Sequence, residues 1–137
     1  MAGRILVVDD EAHILHVLSL KLRNAGYEVV TAVDGEEGFE LACEKLPDLI
    51  ITDLQMPYMT GLELCRMLAA DEETAHIPVL ILTARGYALD EEDLKIGNIR
   101  EVLSKPFSPR RVVQMVRESL AAEADRVRTD ESKPEAA

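Results

Sequence analysis

The 137-residue chain has no tryptophan, three tyrosines and two phenylalanines, so its interior must be built almost entirely from aliphatic side chains. Its two cysteines, Cys43 and Cys65, form no CxxC pair and sit in no cysteine–histidine cluster. That excludes a thiolate zinc site and a disulfide framework, and two free thiols fit a reducing cytoplasm. No apolar run approaches the roughly 20 residues needed to span a bilayer, and residues 1–4 carry no signal-peptide pattern. Basic residues are scarce as well: 15 Lys and Arg stand against 26 Asp and Glu, a net charge of −11. Such a chain is ill suited to neutralising nucleic-acid phosphates or to settling on an anionic membrane.

What is present is an ordinary globular composition, 47% hydrophobic and 30% charged, in a length that suits one domain. Short apolar runs alternate with longer segments of helical period. Ile5-Leu6-Val7-Val8 stops at Asp9-Asp10-Glu11, the pattern of a strand buried on both faces. Residues 12–25 then place Ile14, Leu15, Leu18 and Leu22 on one stripe of a helix that Gly26 ends. A second strand spans residues 28–32, and a second helix spans residues 36–45. Leu49-Ile50-Ile51-Thr52 is a third strand ending at Asp53, and Gly61 leads into a third helix with Leu62, Cys65 and Leu68 on one face. Val79-Leu80-Ile81-Leu82 is a fourth strand ending at Thr83. Residues 89–96 read as a short polar helix, Val102 and Leu103 as a brief fifth strand, and Ser108-Pro109 as the start of a last helix carrying Val112, Val116 and Leu120.

Five strands, each followed by a helix, predict an α/β fold: a doubly wound parallel sheet with five surrounding helices and right-handed crossovers. Residues 1–122 make up that domain. Residues 123–137 are polar and alanine-rich, and are expected to be a disordered tail or a frayed helix end.

Ligands of such sheets bind beyond the carboxyl ends of the strands, where strand order reverses. The first strand ends in Asp9 and Asp10, the third in Asp53, the fourth in Thr83, and the fifth is followed by Lys105. Each alone has an ordinary explanation as a helix cap, turn residue or solvated loop. Together they put three carboxylates, a hydroxyl and an ammonium at successive strand ends. Crowded carboxylates resist ionising unless a cation is present, and Mg²⁺ accepts one or two carboxylates plus water and phosphate oxygens. A set rich in charge stabilisers and poor in general bases suits phosphoryl transfer, with an aspartate as nucleophile.

Four motifs carry a family resemblance: Val7-Val8-Asp9-Asp10-Glu11, Asp53-Leu54-Gln55-Met56-Pro57 with Gly61-Leu62-Glu63-Leu64, Thr83-Ala84, and Lys105-Pro106-Phe107. With 43 residues from Asp10 to Asp53, 30 more to Thr83 and 22 more to Lys105, the chain resembles the bacterial response-regulator receiver domain over about residues 3–122. The resemblance implies a flavodoxin-like strand order 2-1-3-4-5 and, at Asp53, a phosphoacceptor served by a sensor histidine kinase, a phosphotransfer protein or a small acyl phosphate. Asp10, Asp53 and the backbone carbonyl of Gln55 would bind Mg²⁺, with Asp9 acting through water or a looser contact. Lys105, the Ala84 amide and Thr83 would contact the phosphoryl group, and the Lys105–Pro106 bond would be cis. Thr83 would carry the signal to a face made by the fourth helix, fifth strand and last helix, where an unknown protein target or a second copy would bind.

A receiver of this kind is not an enzyme acting on an external substrate; it catalyses only its own phosphorylation and dephosphorylation. The alternatives are a phosphate sink, a degenerate receiver, or a small Mg²⁺-dependent phosphatase. The last would want a second acid two residues after the nucleophile, where Gln55 stands. Departures from the family pattern are Val102 in place of an aromatic, Gly97 one residue early, and Gly86 in the loop after Thr83, where Tyr87 is a candidate substitute ring. Gln55 and Arg85, two residues after Asp53 and Thr83, occupy the positions that the resemblance implies would tune phosphoryl loss. His13 and His16, one turn apart on the first helix without carboxylates beside them, read as a solvated helix face.

Overall fold

The computed structural model describes residues 3–84 and 89–132, with side chains to residue 126. Its elements are β1 (Arg4–Val8), α1 (Ala12–Asn24), β2 (Glu28–Ala32), α2 (Gly35–Lys45), β3 (Leu49–Asp53), α3 (Gly61–Ala70), β4 (Val79–Thr83), a 3₁₀ turn at Asp93–Lys95, β5 (Ile99–Ser104) and α4 (Pro109–Ser132). The strands pair in parallel in the order β2-β1-β3-β4-β5, the order that the family resemblance implies.

The sheet separates two aliphatic layers. Ile5, Val7, Ile51, Leu80 and Leu82 face α1 and α4, packing on Leu15, Leu18, Leu22, Val112 and Val116. Leu6, Val8, Ile50 and Ile81 face the other way, against Ala42, Leu64, Cys65 and Leu68. Both sides of β3 and β4 are therefore covered, which is why their sequences are continuous apolar runs. Full burial of each such side chain contributes about 1.5–3 kcal/mol. At the edge, β5 is half-buried at Ile99, Val102 and Leu103, exposed at Arg100, Glu101 and Ser104, and bulged opposite Val79 and Leu80. With only one neighbour it tolerates Arg100 and Glu101, and it runs longer than the Val102-Leu103 core that periodicity picks out.

The expectation of five helices is corrected: the described residues hold four α-helices, and residues 89–96 contribute only the 3₁₀ turn. The cause is local. Asp90, Glu91, Glu92 and Asp93 fill the middle of the segment, so Leu89 and Ile96 pack against the core from its two ends while Leu94 is exposed. Asp90 Oδ1 takes the Asp93 amide at 2.9 Å, the i-to-i+3 contact of a helix N-cap, so a first turn starts here and goes no further. Gly97 then turns the chain at φ +58° into β5. At the other end, α4 continues through residues 123–132. Glu123 accepts from Arg100 of β5 at 2.6 Å and also pairs with Arg126 one turn on, tying the helix to the sheet edge. The readings of Arg85, Gly86 and Tyr87 fall outside the described residues.

Candidate functional site

The site forms where β1, β3, β4 and β5 end. Because β1 and β3 are neighbours, the residues just past their aligned ends, Asp9 and Asp53, are brought side by side. Asp9 is fully buried and Asp53 is 4% exposed, while Asp10 points to solvent. Carboxylate oxygens of all three lie within 4.8 Å of one another. The loop after β3 is drawn tightly across them: the Leu54 amide donates to Leu82 O and the Gly61 amide to Leu54 O, each at 2.8 Å. Gly61 has to be glycine, since a Cβ there would lie 2.4 Å from the Asp53 carbonyl oxygen.

Lys105 closes the pocket from β5. Its amide donates to Thr83 O at 2.7 Å, and the Lys105–Pro106 peptide is cis. Its Nζ lies 3.4 Å from Asp53 Oδ1, 3.6 Å from Asp9 Oδ2 and 3.6 Å from Glu11 Oε1. Thr83 is buried at the end of β4, and among the described residues its hydroxyl makes a long 3.5 Å contact with the Ala84 carbonyl.

The electrostatics follow from this burial. Removal from water pushes the Asp9 carboxyl up to about 6; the nearby Asp53 and Glu11 charges add to this, while the Glu11 amide and Lys105 oppose it. Asp53 is also raised, first by burial and then by Asp10, against the pull of Lys105 and the Gln55 amide. Burial alone would lower Lys105, but Asp9, Asp53 and Glu11 together hold it above its usual value.

One atom identifies what the site is short of. Asp9 Oδ1 takes the Glu11 amide at 2.9 Å, yet Asp9 Oδ2 is buried with no hydrogen bond. A buried carboxylate oxygen left so is costly, and with two further carboxylates beside it the donor set fits a hard divalent cation. Asp9, Asp10, Asp53 and Lys105 come together at the strand ends, with Thr83 joined to Lys105 through its backbone carbonyl and Ala84 beside Lys105. Gln55 is exposed beside them and contributes its backbone. His13 and His16 belong to no metal-capable group among the described residues. Glu11 closes the first of the four motifs, but neither periodicity nor that motif gives it a role at the site. The available signal was a glutamate at the N-cap of α1, where Ser, Thr, Asp or Asn is preferred.

An open parallel sheet with an acidic, lysine-gated pocket at its switch point defines a small phosphoacceptor-type α/β domain. The comparisons are specific: residues 5–117 match the model of the response regulator receiver domain. The chain is 41% identical over 124 residues to the DNA-binding dual master transcriptional regulator RpaA of Synechocystis sp., covering 90% of this chain and 51% of RpaA. It is 34% identical over 120 residues to the polar-differentiation response regulator DivK of Brucella ovis, covering 88% of this chain and 98% of DivK. A putative response regulator from Chloroflexus aurantiacus superposes with a TM-score of 0.80 at 35% identity, over 88% of this chain and 99% of that one. The chain thus spans about half the length of RpaA and nearly all of DivK. It belongs to the response-regulator receiver family, the phosphoacceptor signalling modules of two-component systems. No helix among the described residues is long and apolar enough to cross a membrane.

Proposed function

We propose that Asp53 takes a phosphoryl group from the phosphohistidine of a sensor kinase or phosphotransfer protein, with Mg²⁺ held by Asp9, Asp10, Asp53 and the Gln55 carbonyl. The observation that carries this is the buried Asp9–Asp53 pair with the Lys105 ammonium 3.4 Å from the Asp53 oxygen. An Asp53 oxygen forms the new bond to phosphorus as the donor's P–N bond breaks, and the leaving imidazole keeps the electron pair. Mg²⁺, when bound, supplies positive charge to the phosphoryl oxygens. Lys105 neutralises a further oxygen, and the Thr83 hydroxyl and Ala84 amide can each donate to the group. On this reading the chain works only on its own phosphoryl group.

An apolar cavity of about 580 Å³ opens beside Lys105, walled by Ile14 and Val17 of α1 with Pro106 and Phe107. It supports docking of the donor next to the pocket. Added charge at Asp53, roughly two units, draws Thr83 inward and alters the face formed by residues 89–96, β5 and α4, where a protein target or a second copy binds. The acidic surface and the absence of a basic stripe support a protein partner in the cytoplasm rather than nucleic acid or membrane. Val102 is half-buried in the α3-side core and has no ring to exchange between buried and exposed positions. That favours, as the second reading, a phosphate store with weak output switching.

Intact mass after incubation with Mg²⁺ and a small acyl phosphate tests the proposal. One added phosphoryl group on the wild type, absent from Asp53→Ala and absent after chelation, is expected. An adduct that survives in Asp53→Ala, or none on the wild type with acyl phosphate or phosphorylated kinase, refutes it.

A further inference from the structure

We infer that Glu11 is a positioning residue for Lys105, receiving its ammonium when a divalent cation takes up Asp53. The inference rests on reading Asp9, Asp10 and Asp53 as a cation site. Lys105 Nζ stands almost equidistant from three carboxylates: two are the buried Asp9 and Asp53, and the third, Glu11 at 3.6 Å, is on the solvent side. A cation bound between Asp9, Asp10 and Asp53 repels an ammonium held 3.4 Å from Asp53. Lys105 must then move outward, and Glu11 is the acceptor on that side.

A second feature supports the assignment independently. Glu11 occupies the N-cap of α1, but its side chain makes no capping hydrogen bond. The N-cap of α2 is Asp34 and that of α3 is Thr60, and both side chains accept from the backbone three residues on. At α1 that local rule is broken, and the carboxylate is turned to Lys105 instead. Departures of this kind concentrate at functional sites. Glu11 also donates its amide to Asp9 Oδ1 at 2.9 Å, so one residue holds the buried carboxylate with its backbone and the lysine with its side chain.

Glu11 thus sets how readily Lys105 yields to the cation, and it holds the ammonium at the pocket mouth, ready to meet an incoming phosphoryl oxygen. The pair is partly exposed, so its effect is modest and screened by salt.

The test is calorimetric titration of MgCl₂ alone into the wild type, Glu11→Gln, Lys105→Gln and the double variant at low ionic strength. Glu11→Gln is expected to weaken Mg²⁺ binding about fivefold when Lys105 is present, and less than about twofold when it is glutamine. The difference should shrink in about 0.5 M KCl. Equal weakening in both backgrounds would mean through-space charge alone and would overturn the inference. So would a Glu11→Gln affinity equal to the wild type's, with the reading of the cation site left standing. Failure of the wild type to bind Mg²⁺ overturns both. Should Lys105→Gln not fold, side-chain NMR decides: Lys105 Cε–Hε resonances should move on Mg²⁺ addition in the wild type, and by a different amount in Glu11→Gln. Identical movement in the two proteins overturns the inference.

Discussion

Asp9→Asn separates the cost of the pocket from its use. The wild-type carboxyl titrates at about 6 in the folded chain, against about 3.9 unfolded, and each unit corresponds to about 1.36 kcal/mol. A carboxyl raised on folding contributes stability below its unfolded value and loses it as pH rises through its folded value. The window is therefore about pH 4 to 6, and above it the ionised Asp9 costs the metal-free protein about 3 kcal/mol. Asparagine keeps the oxygen that takes the Glu11 amide and removes the charge. It places an NH₂ where Asp9 Oδ2 faces Lys105, an unsatisfied donor costing about 1 kcal/mol. Without metal, Asp9→Asn should therefore be more stable than wild type by about 2 kcal/mol at pH 7.5, and close to equal at pH 4.5, where the wild-type carboxyl is mostly protonated. Urea denaturation in EDTA measures this; with a slope of about 2 kcal/mol/M, the midpoint should rise by about 1 M at pH 7.5. Saturating Mg²⁺ should then stabilise the wild type by about 2–3 kcal/mol and the variant much less, cancelling or reversing the order. A variant less stable than wild type at pH 7.5, or one whose advantage is the same at both pH values, would refute the argument.

Two further outcomes follow from packing. Gly61→Ala should lose about 2 kcal/mol or more in urea denaturation, because the new methyl meets the Asp53 carbonyl at 2.4 Å. Its rate of phosphoryl uptake should fall with the displaced carboxylate, and an unchanged rate would separate Gly61 from the site. Cys65 is 1% exposed and its thiol is pushed up to about 12 by burial, whereas Cys43 is half-buried. Iodoacetamide at pH 8 should label one thiol per native chain and the second only in urea; equal labelling rates would contradict the packing of α3 against the sheet.

The contrast between what could be read along the chain and what could not is clearest at three places. Asp9, Asp53 and Thr83 were legible because a buried parallel strand is a short apolar run, and the polar residues that close it mark the sheet's carboxyl edge. Residues 89–96 were misread as a helix because their composition is helix-compatible. Asp90 caps a first turn by taking the Asp93 amide, but Gly97 turns the chain too soon for a second turn to form. The length of α4 was also hidden, since residues 123–132 lack an apolar stripe. What ties Glu123 down is Arg100, 23 positions earlier on a different element.

The sequence by itself determined the alternation of strands and helices, the two-sided burial of β1, β3 and β4, and the polar residues at their ends. Each of those signals depends on neighbours a few positions away, through pleat, helical period and turn chemistry. Only the tertiary structure decided that Asp9 Oδ2 is buried without a hydrogen bond, that Lys105 stands between three carboxylates, and that Glu11 is one of them. Those facts arise when strands distant in sequence become adjacent and exclude water, and desolvation and charge crowding exist only once the elements have packed.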